Sequence, residues 1–222
     1  MNVKNNYFSV KNNIETLENA YKNKVELLAV SKKHSVEKIK AVYALGQKAF
    51  GESYAQEAIE KIKQLSDLKI QWHFIGPLQS NKTKIVAQNF DWVQSVDSLK
   101  LLNRLNKQRP PSKHKLNTLL QVNISSEAQK RGVKTNHLKE LCTAFKNLEN
   151  LRFRGLMFIP EHSTSFEQQL DTFLRCKQIY DSIQKQYNLD TLSMGMSADL
   201  EASIKSGSSM VRVGTDIFGK RN

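Results

Sequence analysis

The sequence predicts an α/β protein: a single (β/α)8 TIM barrel with an extra N-terminal helix. Three observations predict it. Eight short apolar runs recur along the chain, each is followed by a longer amphipathic stretch, and 222 residues are enough for eight such units. Strands separated by helix-length crossovers run parallel, because only antiparallel neighbours can be joined by a tight turn. Eight units in this length fit a closed barrel near the lower size limit of that fold. Alternation alone does not establish closure, so a doubly wound open sheet is the structural alternative.

The elements follow in order. A helix over 14–25 precedes the first strand, ELLAVS at Glu26–Ser31, and Val36–Leu45 is the helix after it. KAFG (Lys48–Gly51) is a short second strand before a helix over Tyr54–Leu65. QWHFI (Gln71–Ile75) is the third, with a helix from about Asn81. DWVQ (Asp91–Gln94) is a weak fourth, before Ser98–Lys107. NTLLQVNI (Asn117–Ile124) is a strong fifth, before Leu138–Leu148. LRFRGLMF (Leu151–Phe158) is the sixth, before a long helix over Phe166–Tyr187. TLSM (Thr191–Met194) is the seventh, before Asp199–Lys205, and SMVRV (Ser209–Val213) is the eighth. No linker, low-complexity segment or shift in composition interrupts them, so residues 1–222 are read as one domain.

Composition narrows the class of function. With 39% hydrophobic and 25% charged residues the chain is of ordinary globular make-up. No window approaches 18 consecutive apolar residues, and the N-terminus has no apolar stretch of the secretory kind, so a cytoplasmic protein without a membrane partner is expected. Cys142 and Cys176, far apart within helical segments, read as two buried thiols in a reducing compartment. The net charge of +13 raises nucleic acid as a partner. However, residues 1–111 hold 18 Lys/Arg against 10 Asp/Glu and residues 112–222 hold 16 against 11, so the excess is spread rather than gathered into an arm. Without an RNP-like motif, zinc finger or Arg-rich tail, it reads mainly as a solvated surface.

In a barrel the chemistry sits at the C-terminal ends of the strands. Lys32 directly follows the first strand and continues the parity of Leu28 and Val30, so it can point to the barrel mouth. Desolvation there favours the free amine that imine formation needs. Lys33 has the opposite parity and reads as a solvated neighbour. The seventh strand leads into Gly195-Met196-Ser197 and the eighth into Gly214-Thr215. Barrel phosphate sites often use these two loops, where glycine permits close backbone approach and hydroxyls and N–H groups serve a dianion. The plainer reading is that Ser197 caps a helix and Gly214 turns the chain. Arg212 lies inside an otherwise apolar strand, either outward against a helix, as expected for Arg152 and Arg154, or as a buried cation aimed at a ligand. His73 is a possible pocket residue or one hydrogen-bonded inside the barrel. The five histidines have no metal-ligand spacing, and no GxGxxG, Walker A or GxSxG motif occurs.

These residues also carry a resemblance. LLAVSKKHSVEKI, FGESYAQEAIEKI, WHFIGPLQSNK, LLQVNIS, RGLM, LSMGMSADLEASI and MVRVGTDIFG occur in the order found in the pyridoxal 5′-phosphate (PLP) homeostasis family, over about Glu26–Gly219. That family is related to the N-terminal barrel of alanine racemase. The resemblance implies that Lys32 forms an internal aldimine with PLP. It also implies that Ser197, Gly214 and Thr215 surround the phosphate and that Arg212 sits beside the pyridine nitrogen. His73, Gly76, Asn81, Asn123 and Met157 match positions that line or support the pocket. Two departures stand out: Ser53 replaces the usual Asn of FGENY, and Lys33-His34-Ser35 replaces a TKP-like linker.

Arginine stays cationic and only donates, so it favours an unprotonated ring nitrogen and a poorer electron sink than an aspartate partner would. The sequence ends three residues after Gly219, and no second catalytic domain is expected. The expected function is therefore intracellular PLP (vitamin B6) homeostasis, with no catalytic residue and no metal ligand. Apo PLP-dependent enzymes are the implied recipients, and a monomer or weak dimer is expected. The alternatives are a minimal PLP-dependent amino-acid racemase or lyase, and a nucleic-acid-binding module.

Overall fold

The computed structural model describes residues 2–124 and 131–220. Its strands are β1 (Glu26–Val30), β2 (Ala49–Glu52), β3 (Gln71–Phe74), β4 (Trp92–Val96), β5 (Leu116–Asn123), β6 (Val133–Lys134), β7 (Leu151–Phe158), β8 (Thr191–Ser193) and β9 (Met210–Val213). All pairings are parallel. β4 pairs with β5 and β1 with β9, so the chain of neighbours β1-β2-β3-β4-β5-β7-β8-β9 returns on itself. This closure decides for the barrel and against the open sheet. The two-residue β6 adds to the outer end of β5 and was too short to be read from the sequence. Ser125, the last residue of the LLQVNIS motif, lies outside the described residues.

The helices are α1 (Val3–Tyr21), α2 (Val36–Ala44), α3 (Ala55–Gln64), α4 (Thr83–Asn89), α5 (Leu99–Gln108), α6 (Thr135–Ala144), α7 (Phe166–Tyr187), α8 (Leu200–Lys205) and α9 (Thr215–Phe218). The N-terminal helix exists, but it starts and stops earlier than expected. Asn2 caps its first turn through the Lys4 N–H, Tyr7, Val10 and Ile14 face inward, and Lys22 closes it in the left-handed region at φ 54°. The main apolar core fills the space between the barrel wall and these helices. Two smaller clusters, Leu28–Ala49–Met210 and Trp92–Leu119–Met157, sit on the opposite strand faces, inside the barrel.

One local irregularity re-aims a charge. Between β5 and β7 the register skips a residue, with Thr118 opposite Phe153 and Leu119 opposite Gly155, so Arg154 is the extra residue of a β-bulge. Expected to lie outward, Arg154 instead turns onto Trp92, 4.5 Å from its ring centroid, and pairs with Asp190 at 2.7 Å. Arg152, outside the bulge, is exposed as expected.

Candidate functional site

At the C-terminal ends of the strands lies a cavity of about 250 Å³ lined by Val30, Lys32, Ser53, Ile75, Ile159, Met196, Ser197, Ala198, Arg212, Gly214 and Thr215. Five sequence candidates meet there: Lys32, Ser197, Arg212, Gly214 and Thr215. Asn81, Asn123 and Met157 are not among its lining residues. Asn81 is exposed in the 3-10 turn Ser80–Lys82, Asn123 is half-buried at the end of β5, and Met157 is buried inside the barrel. Apolar liners such as Ile159 and Met196 escaped the sequence reading because exposed apolar side chains in loops carry no chemical signal. Among the described residues lining it, only Lys32 and Arg212 bring a titratable side chain to the wall.

Lys32 is half-buried in a turn one residue beyond Ser31, and the next residue, Lys33, takes φ 61°. Lys33 points to solvent, whereas His34 turns inward and stacks on Phe218 of α9, ring centroids 5.1 Å apart. The linker that departs from the family pattern therefore ties the lysine turn to the helix beginning at Gly214. Ser53, the other departure, lies in the cavity wall. Gly76 runs so close to it that an added Cβ would stand 2.0 Å from the Ser53 carbonyl oxygen.

The opposite wall is made by two helix starts. Gly195 takes φ +96°, and a Cβ there would meet Ser203 Oγ at 2.0 Å, so only glycine lets this loop pack on α8. Beyond it the Met196 N–H donates to Asp199 Oδ1 at 2.5 Å, fixing the turn that carries Ser197 and Ala198. Gly214 precedes α9, whose first-turn N–H groups have no intrahelical acceptor, as at any helix start. Burial raises the carboxyl pKa of Asp199, opposed in part by its hydrogen bond to Met196 and by the charge of Arg212.

Arg212 joins this wall from inside β9, only 5% exposed. Its Nη1 donates to Ser193 Oγ at 2.8 Å and its Nη2 to the Phe158 carbonyl at 2.9 Å. A guanidinium has five N–H donors, so donors are left over for the cavity that the residue lines. Burial lowers its pKa to about 10, opposed by Asp199, and it stays a cation at neutral pH.

Behind Arg212 a polar chain crosses the barrel interior, its hydrogen bonds all running one way. Arginine only donates, so Ser193 Oγ accepts from it and its own O–H donates to Gln94 Oε1 at 2.7 Å. That orients the Gln94 amide, whose Nε2 donates to His73 Nδ1 at 3.0 Å. His73 Nε2–H then donates to Gln71 Oε1 at 3.0 Å. The imidazole is completely buried, and burial together with the positive charge of Arg154 pulls its pKa down to about 3, so it is neutral. Of the two sequence alternatives for His73, the structure takes the one hydrogen-bonded inside the barrel.

The alanine racemase N-terminal domain model matches residues 6–222. A pyridoxal phosphate homeostasis protein of Haemophilus influenzae is 45% identical over 234 aligned positions, covering the whole of this chain and 97% of that protein. The chain belongs to the pyridoxal phosphate homeostasis protein family. A relative of the same name in Escherichia coli K12 is 44% identical over 89% of this chain and 86% of its own length. Among solved structures, PipY of Synechococcus elongatus, determined with PLP bound, superposes with a TM-score of 0.87 at 32% identity, covering 98% of this chain and 100% of that one. Alanine racemase of Clostridium difficile shares the fold, with a TM-score of 0.75 at 15% identity, and this family's barrel spans 55% of that longer chain.

Proposed function

We propose that this protein binds PLP in the 250 Å³ cavity, holds it as a Schiff base on Lys32, and serves PLP homeostasis without turning over a substrate. The observation that carries the reading is the cavity's chemistry: one lysine, one buried arginine, and two loop corners with hydroxyls and helix-start N–H groups. The volume suits a one-ring ligand, since drug-sized pockets run from about 300 to 1,000 Å³. Bound there, PLP supplies an aldehyde that condenses reversibly with an amine and a phosphate that takes up several donors.

The residues divide that work. Lys32 is the tether. Ser197, Thr215 and the backbone around Gly214 serve the phosphate, as helix starts do elsewhere. Arg212, held from behind by Ser193 and Phe158, would offer its remaining N–H donors to the ring nitrogen. A donor-only partner favours an unprotonated nitrogen and weak electron withdrawal, which supports holding over carbanion chemistry. The family's named role and the PLP bound by PipY support the same ligand. Residues 1–222 act as one cytoplasmic unit, a monomer or weak dimer, that passes PLP to apo-enzymes rather than acting on nucleic acid. No helix among the described residues is long and apolar enough to cross a membrane.

Titrating the purified protein with PLP should produce a visible absorbance band that Lys32→Ala lacks, while a panel of amino acids in deuterated water should show no α-proton exchange. A saturable band that persists in Lys32→Ala would overturn the tether. Catalytic exchange with any panel member would overturn the non-enzymatic role.

A further inference from the structure

A second lysine reaches the turn that carries the first, bonding the carbonyl of the residue before it. Lys61 is on α3, yet it is only 6% exposed and its ammonium is turned toward the strand ends. Its Nζ donates to the Ser31 carbonyl at 2.8 Å, to Glu52 Oε1 at 2.8 Å and to Glu57 Oε1 at 2.5 Å. An ammonium has three donors, and each finds an acceptor here. The acceptors reach round Lys32 on both sides. On the side before it, Ser31 Oγ also donates to Glu52 Oε1 at 2.6 Å. On the side after it, the Lys33 N–H donates to Glu57 Oε1 at 2.6 Å, just where the chain adopts φ 61°.

We propose that Lys61 is the positioning residue for Lys32: with Glu52 and Glu57 it clamps residues 31 and 33, so that the intervening side chain is presented to the cavity in one conformation. A purely stabilising role explains the arrangement less well. Burying the lysine together with the Glu52 carboxylate costs desolvation that an apolar pair of similar volume avoids. A left-handed, non-glycine residue is unfavourable unless its surroundings hold it, and Glu57 accepts the N–H of that residue. The three side chains come from β2 and α3, within FGESYAQEAIEK, so one short stretch of sequence supplies the whole clamp.

The inference rests on Lys32 as the amine that meets the cofactor, and the first arm of its test needs no cofactor. In the PLP-free protein, trace acetylation read by peptide mass spectrometry measures the reactivity of Lys32. In the second arm, stopped-flow absorbance follows band formation after PLP is added. Glu57→Gln keeps an acceptor for the Lys33 N–H, whereas Glu57→Ala removes it, and both remove the charge.

The clamp predicts that Glu57→Ala and Lys61→Met change Lys32 labelling and slow band formation by about tenfold or more. Glu57→Gln should stay within about twofold of wild type, and in a Lys32→Ala background none of the three should alter PLP binding by more than about twofold. Equal effects of Glu57→Gln and Glu57→Ala would replace positioning with a simple charge effect and overturn the proposal. Wild-type rates in Glu57→Ala, or the same loss of binding in the Lys32→Ala background, would overturn it too. Glu57 is partly exposed, so its variants decide the matter even if Lys61→Met does not fold. Absence of any band in the wild-type protein would instead count against the PLP assignment.

Discussion

Replacing His73 with Gln should remove one titrating proton from the acid side of the stability profile. His73 is fully buried between Gln94 and Gln71, stacked on Trp92 at 5.0 Å, and its pKa is pulled down to about 3. In the unfolded chain an imidazole titrates near 6.5. Between these values the unfolded chain carries a proton that the folded protein refuses, so stability is full above about pH 6.5 and is lost as pH falls toward 3. Each pH unit within the window is worth about 1.4 kcal/mol, which gives about 2 kcal/mol lost by pH 5 and about 4 kcal/mol by pH 3. Urea unfolding followed by circular dichroism at pH 7 and pH 5, on wild type and His73→Gln, isolates this term because other ionising groups are common to both. Wild type should lose about 2 kcal/mol more than the variant between the two pH values. A difference below about 0.5 kcal/mol would refute the neutral, buried imidazole and with it the direction assigned to the polar chain.

Two further predictions follow from the same packing. Ser193→Ala leaves Gln94 Oε1 and Arg212 Nη1 each one partner short in a closed interior. It should cost about 1–3 kcal/mol, or roughly 2–10 °C in thermal midpoint, and weaken PLP binding; an unchanged midpoint would mean the chain does not hold Arg212. Burial pushes the thiols of Cys142 and Cys176 up to about 12, so both should resist a thiol reagent at pH 8 and react once the protein is unfolded in urea. Rapid labelling of the native protein would contradict their burial.

The strands were legible because each buried face left an apolar run, and the sixth strand and the long helix after it have the boundaries read from sequence. Closure was not legible, since it depends on the pairing of β4 with β5 across a register shift that no local pattern records. The first helix was placed too late because its asparagines hide the inward series Tyr7, Val10 and Ile14. Arg154 defeated simple alternation through its bulge. In the site, Lys32 and Arg212 were visible because a charge inside or just after an apolar strand demands an explanation. Gln94 and Ser193 lie in the short DWVQ and TLSM runs, and only their shared barrel interior with His73 and Arg212 gives them a role. The clamp was harder still, because Glu57 and Lys61 are spaced like an ordinary i,i+4 surface pair and only burial separates them from one.

If Lys32 tethers PLP, the bond between them can be trapped by reduction. Borohydride added to the PLP-loaded protein should bleach the visible band and leave a single stable adduct, mapped by peptide mass spectrometry to Lys32. An adduct on another lysine, or a protein that yields none after saturation with PLP, would rule out Lys32 as the tether.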